Sequence, residues 1–166
     1  MSQTHNHMAS DLASATESAH FERAQAVRCG ERWIAFPHGW AHKAVEDISL
    51  SAVPGAPHWL AGAVNVDGRV VPVVDLLAWQ NPTQFINAQA NTSRLLVGGQ
   101  GSHVVGVLFE GLPRLVPITR DAVSRAPVHD DRLAPYITGQ DPSDDAVLAI
   151  DAYALVEALI EELALR

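Results

Sequence analysis

The sequence predicts a mainly β fold of two small lobes, each closed by a helix, on three observations. Short runs rich in Val, Ile, Trp and Phe recur from residue 24 onward, separated by Gly, Pro, Asp and Asn, the spacing of strands and turns. Two of these runs flank Asp67-Gly68, which suits a type I′ hairpin turn because both central residues need positive φ. An apolar strand ended by an aspartate that opens a helix occurs twice, at Val70 to Asp75 and at Ala146 to Asp151. Such a repeat suits a chain that builds two small barrels.

Residues 1–22 are polar and poor in large apolar side chains, and read as a tail with a possible helix from Ala9 to Ala24; residues 23–166 form the folded domain. Gln25 to Cys29 and Arg32 to Phe36 are strands about the turn Gly30-Glu31, and Pro37-His38-Gly39 breaks the run. Ala44 to Ser51 reads as another short strand. Val53-Pro54-Gly55-Ala56-Pro57 is a rigid turn, because two prolines fix φ and remove two donors. Ala61 to Val66 and Arg69 to Val74 form the hairpin. Pro72 cannot donate to a ladder, so it marks an edge or a bulge. Asp75 is placed to cap a short helix, Leu76 to Trp79.

Gln80 to Thr92 is a surface loop. Arg94 to Val97 and His103 to Glu110 flank the hairpin loop Gly98-Gly99-Gln100-Gly101, and Leu112 to Ile118 reads as a further strand. Asp121 to Ser124 suits one helical turn. Ala126 to Asp145 is mostly irregular, with Tyr136 to Gly139 as a short strand. After Asp151, the residues Val156, Leu159, Ile160 and Leu163 repeat at the i, i+3, i+4, i+7 spacing of an amphipathic helix.

Composition excludes several classes of function. Hydrophobic residues are 48% of the 166, enough to bury a core. No apolar run approaches the roughly 20 residues of a membrane span, and the first residues lack the pattern of a secretory signal. The one cysteine, Cys29, can form neither an internal disulfide nor a zinc cluster, so a cytoplasmic setting is expected. Eleven Lys+Arg against 19 Asp+Glu leave a net charge of −8. With Lys43 its only lysine and 6% aromatic residues, the chain matches a barrel that binds nucleic acid or oligosaccharide poorly.

The residues that could carry chemistry do not assemble into a catalytic set. Cys29 has no flanking histidine and reads as a small buried thiol. His5, His7, His20, His38, His42, His58, His103 and His129 form no H-E-x-x-H motif, and although His38 and His42 are four apart, Pro37 and Gly39 argue against a helix there. The paired carboxylates Asp130-Asp131 and Asp144-Asp145 fall in polar loops and read as solvated. The glycine-rich loop lacks the lysine of a phosphate-binding loop and joins two strands. Neither an enzyme nor a cofactor or metal site is expected. Trp33 and Trp79 fit core positions. Trp40 and Trp59, in turns, either pack over a barrel end or stand exposed as anchors for a partner.

The stretch Val53 to Leu76, VPGAPHWLAGAVNVDGRVVPVVDL, resembles the CheW family, the adaptors of bacterial chemosensory arrays. Pro54, Pro57, Gly62, Asn65, Gly68, Pro72, Val73, Asp75 and Leu76 match its P-x-x-P turn, its Asn-Leu-Arg-Gly hairpin and its valine-proline-valine strand ending in Asp-Leu. Val45 to Ile48, Val105 to Glu110, Tyr136 to Gly139 and Leu148 to Leu155 resemble further family segments. The resemblance implies two five-stranded, SH3-like or OB-like β-barrel lobes with a C-terminal helix. It also implies no catalysis, and a cytoplasmic role bridging a CheA-type histidine kinase's regulatory domain to the cytoplasmic tip of a chemoreceptor. Val45, Gly62 and Gly68 match positions of kinase contact, although both glycines equally suit a purely backbone role. Asp47 and Asp67 match the charged receptor-side pair, and Val107 a strand at the groove between the lobes.

One position departs from the family. Asp67 stands where the family has arginine, so the acid–base pair with Asp47 becomes two acids, repulsive at hairpin distance unless a cation intervenes. Arg69, two residues on and on the same strand face, is the candidate cation, whereas the neighbouring Glu46 points the other way as a partner. The departure suggests a divergent adaptor, serving a type IV pilus or another non-flagellar system, or a CheW-like scaffold with a different partner.

Overall fold

The computed structural model describes residues 22–120 and 131–166. The expected helix from Ala9, the histidines His5, His7, His20 and His129, Asp130 and the helical turn at 121–124 lie outside them; of that helix's span, Glu22 to Ala24 belong to a strand.

Among the described residues, nine strands and two α-helices follow in order. β1 (Glu22–Cys29) and β2 (Arg32–Pro37) form the first hairpin, and β3 (Ala41–Val45) follows. β4 (Leu60–Val66) and β5 (Arg69–Val74) form the second hairpin and lead into α1 (Leu76–Gln80). β6 (Ser93–Gly98), β7 (Val105–Ile118), β8 (Ile137–Asp141) and β9 (Asp144–Ile150) precede α2 (Ala152–Ala164). The strands join in the order β3-β6-β7-β1-β2-β9-β8, with β5 also pairing β7 and β4 pairing β5. β2 runs parallel to β9 and β5 to β7, while the other pairs are antiparallel. The fold is therefore mainly β with a mixed sheet, in the predicted class.

Two apolar clusters lie on opposite faces of the shared strands, because successive side chains of a strand point to opposite sides. Val27 and Cys29, Ile34 and Phe36, and Ile150 enter the larger core with Leu76, Trp79 and α2. Ala24 and Ala26, Ala35, and Val147 and Ala149 enter the smaller one. β7 serves both in succession: Val105, Val107, Leu108 and Phe109 pack in the larger core, Val116 and Ile118 in the smaller.

Several elements differ from expectation. The strand expected over Ala44 to Ser51 is β3, shifted earlier because residues 41–45 pair with β6; Ser51 makes only a bridge to Ala63. His103 does not begin a strand but closes a 3-10 turn, Gly101–His103. The separate strand at Leu112 is the second half of β7, whose partner changes from β6 to β1 near Gly111 (φ +78°). The irregular stretch before Asp145 holds a 3-10 turn (Ala134–Tyr136), β8 and the start of β9, which pair as a hairpin about the turn residues Pro142-Ser143.

The second hairpin forms as the sequence predicts. Asp67 (φ +52°) and Gly68 (φ +83°) take the positive values of a type I′ turn, and Asn65 Oδ1 accepts the Gly68 N–H at 2.8 Å. Pro72 sits opposite Ala63, whose N–H and C=O both turn away to Ser51 at 2.9 and 2.8 Å, so the proline costs no ladder bond. On its other side β5 joins β7 only from Val73. Asp75 accepts from the Leu77 and Ala78 N–H groups at 2.9 and 3.1 Å, and its second oxygen takes the Ile86 N–H at 2.6 Å. One buried side chain thus caps α1 and ties down the following loop. Burial pushes the Asp75 carboxyl up, against the lowering pull of those donors.

Candidate functional site

The β4–β5 hairpin carries the candidate surface. Its inner face, with Val64, Val71 and Val73, is buried in the larger core. Its outer face presents Val70, 72% exposed, beside Asn65 and the half-buried Ala63 and Pro72. This is a shallow apolar strip with no acid, base or nucleophile on it, suited to contact rather than chemistry.

The residues assigned to kinase contact divide by exposure. Gly68 is exposed in the turn and Val45 is half-buried on β3. Gly62 is buried, at φ +150°, and a Cβ there would stand 2.7 Å from the Ser51 carbonyl oxygen. Its role in the structure is close backbone approach. The receptor-side residues divide likewise. Asp47 and Asp67 are exposed, but Val107 is 3% exposed, packed between β6 and β5, and is a core residue rather than a surface one.

The cation that meets Asp67 is Lys43, not Arg69. Lys43 Nζ lies 2.7 Å from Asp67 Oδ2, and both side chains are well exposed, so the pair stabilises the fold by about 0–1 kcal/mol. Arg69 instead donates to the Gly101 carbonyl at 2.7 Å. Glu46 pairs with Arg94 at 3.3 Å, and among the described residues Asp47 has no ion pair. The sequence did not point to Lys43 because pairing of β3 with β6, and not local spacing, brings it to the hairpin.

Trp40 and Trp59 are core residues, 1% and 0% exposed, and not partner anchors. Trp40 stacks on Phe36, with ring centroids 5.0 Å apart, over Gly98, where no Cβ intrudes. Trp59 and Trp79 both donate their indole N–H to Glu162 of α2, at 3.2 and 3.0 Å, and Arg132 reaches the same carboxylate at 2.7 Å while its guanidinium lies over Trp79. Glu162 lies outside the stripe of Val156, Leu159, Ile160 and Leu163, so the helical period does not point to it; the meeting of two indoles with one carboxylate of α2 is a tertiary fact. Trp33 is half-buried with Arg114 stacked 3.8 Å from its ring centroid.

The remaining candidates are structural. Cys29 is buried, with its thiol toward the Leu108 carbonyl, and burial pushes the thiol up, away from the reactive thiolate. His42 and His58 contact the Gly99 and Ala78 carbonyls. Asp131 pairs with Arg32 at 2.6 Å and Asp144 with Arg114 at 3.5 Å. Among the described residues no three His, Cys, Asp or Glu side chains cluster as a metal site, and no helix is long and apolar enough to cross a membrane.

A mixed sheet with two apolar clusters and a hairpin that exposes an apolar strip defines a mainly β domain. The chain belongs to the CheW-like domain family, whose sequence profile matches residues 24–159. Among solved structures it is similar to the scaffolding protein TtCheW from Thermoanaerobacter tengcongensis, with 19% identity over 79% of this chain and 89% of that one, and a TM-score of 0.63. That likeness is one of fold. No curated protein matches the sequence.

Proposed function

We propose that the chain is a non-catalytic coupling adaptor of a bacterial chemosensory system, working in the cytoplasm at membrane-associated receptor arrays. One surface would hold the regulatory domain of a CheA-type histidine kinase and another the cytoplasmic tip of a chemoreceptor. Receptor states that bind this layer differently then bias kinase activity through assembly. The output is flagellar or, given Asp67, a type IV pilus or other non-flagellar system.

The observation that carries the reading is the exposed outer face of the β4–β5 hairpin, within the stretch that resembles the family most closely. An apolar strip centred on Val70 has no role inside the fold, and contact with a partner's β surface is the use that its chemistry fits. Gly68, in the turn of the same hairpin, and Val45, half-buried on β3, are the further contact positions that the family resemblance implies, and Asp47 and Asp67 belong to the receptor side.

The test is binding of the purified full chain to the regulatory domain of a CheA-type kinase from the same cell, with Val70→Arg as the probe. Val70 is exposed, so the variant keeps its melting temperature within the range of about 0.5 kcal/mol usual for surface changes. Its affinity for the kinase domain falls at least about tenfold. Wild-type protein that binds neither kinase domain nor receptor tip sinks the adaptor reading. Gly62→Arg, by contrast, would clash with Ser51 and report folding rather than contact.

A further inference from the structure

A cavity of about 290 Å³ opens at one end of the smaller core. Its floor is made by the buried Ala24 of β1, Ala35 of β2, Ile118 of β7 and Ala149 of β9. Glu22, Arg120 and the half-exposed Tyr153 stand at its rim. Composition explains the space: four of the seven buried residues of this core are alanine, and none is aromatic. Trp33 packs against the same core from elsewhere. Along β2, Trp33, Ala35 and Pro37 share one face, and of the three only Ala35 and Pro37 line the cavity. An opening with an apolar floor is covered more favourably by an apolar side chain than by water. A cavity of about 150 Å³ is already enough to hold benzene, so this one has room for a phenyl ring. The described chain enters the fold at the rim, where Glu22 pairs with Arg120 at 2.9 Å. The residue that precedes Glu22 is Phe21, alone among residues 1–21 in being Phe, Trp or Tyr.

We propose that Phe21 seats in this cavity as an internal plug, its ring over Ala35 and Ala149 and beside Tyr153, so that the N-terminal segment is pinned across the open end of the smaller core. Side chains alternate along a strand, so a straight continuation of β1 would turn Phe21 away from Ala24. The seating therefore folds the chain back at residues 20 and 21, next to the point where the Glu22–Arg120 pair fixes it. Charge at the rim favours an apolar occupant. Glu22 and Arg120 offset each other, and Asp151 accepts the Ala154 N–H as the cap of α2. A phenyl ring entering there leaves no polar group of its own without a partner. Attachment favours an internal occupant: a side chain joined to the rim by one peptide bond acts at a high effective concentration against any free competitor.

Nuclear magnetic resonance of the full chain, labelled at its alanine methyl carbons, reads the seating directly. In the wild type the Ala35 and Ala149 methyl groups show nuclear Overhauser contacts to the Phe21 ring protons, and the ring shifts their signals upfield. Phe21→Leu keeps an apolar side chain but removes the ring, and the upfield shift is lost; Trp33 and Tyr153 are common to both proteins, so the difference reports Phe21 alone. Phe21→Ser loses the shift and also lowers the urea midpoint. Leu12→Ser, at the next large apolar residue toward the N-terminus, changes neither. Absence of ring contacts at the two methyl groups in the wild type overturns the inference without any variant having to fold. Signals of Ala35 and Ala149 that Phe21→Leu leaves unmoved overturn it too. Contacts that arise only between differently labelled molecules in a mixed sample overturn it as well, and give the cavity to a second copy of the chain.

Discussion

Glu162 collects three donors on one carboxylate, and its position explains how a short C-terminal helix is held. Trp59, Trp79 and Arg132 all end on it, the indoles from beneath and the guanidinium from the side. Desolvation pushes this carboxyl up, but the Trp79 and Arg132 contacts and the Trp59 donor outweigh it, and the carboxyl is held below its ordinary value. A depressed folded-state value means that the contribution is fully present above the unfolded value of about 4.3 and is lost as pH falls through the folded one. Glu162→Gln is therefore expected to cost about 1–3 kcal/mol at neutral pH, because charged acceptors are worth more than neutral ones. The difference between wild type and variant then shrinks as pH drops below about 4.3. Urea unfolding at a series of pH values reads this directly; a difference that stays constant with pH would assign the cost to packing rather than to charge.

At the scale of elements, α1 shows why one aspartate ends a strand, starts a helix and fixes a loop. α1 has only five residues, too few to hold a helix by propensity, so its caps and its packing must. Asp75→Ala removes the cap, worth about 0.5–2 kcal/mol, and orphans the buried Ile86 N–H, worth about 1–3 kcal/mol more. The expected loss is about 1.5–5 kcal/mol in chemical denaturation, with amide exchange at Ile86 accelerated before that of β6; unchanged exchange there would mean that the loop is held by something else. The Asp75 cap, the Asp67-Gly68 turn, the α2 stripe and the two flanking strands of the hairpin were all legible in the sequence because each is local: a turn type, a period, a capping residue. β3, the continuity of β7 and the strand pairing of β8 were not, because each is decided by a partner strand far away in sequence. The candidate site divides the same way. Its exposed turn residues Gly68 and Asp67 could be read from the motif, whereas the burial of Val107 and Gly62 and the arrival of Lys43 beside Asp67 depend on how β3, β4 and β7 meet their neighbours.

On the scale of the whole molecule, the two cores cannot come apart independently, and under the proposed function this would hold two docked partners in fixed relation. β1, β2 and β9 each contribute alternate side chains to both clusters, and β7 runs from one into the other. Loss of the smaller core would strip one face from strands whose other face lines the larger. A single cooperative transition is the consequence, although the smaller core is built mainly of alanine and valine and would be marginal alone. Tryptophan fluorescence reports chiefly the larger core, where Trp40, Trp59 and Trp79 are buried, while far-ultraviolet circular dichroism reports all strands. The two signals are expected to coincide in urea, and Leu108→Ala in the larger core and Ile118→Ala in the smaller, each costing about 2–5 kcal/mol, are expected to shift both midpoints together. Separate midpoints, with Ile118→Ala moving the circular dichroism signal alone, would show two folding units. A shared sheet that melts as one would let strain from a partner docked on the β4–β5 hairpin, as proposed, pass through β5 and β7 to the strands of the smaller core without an intervening hinge.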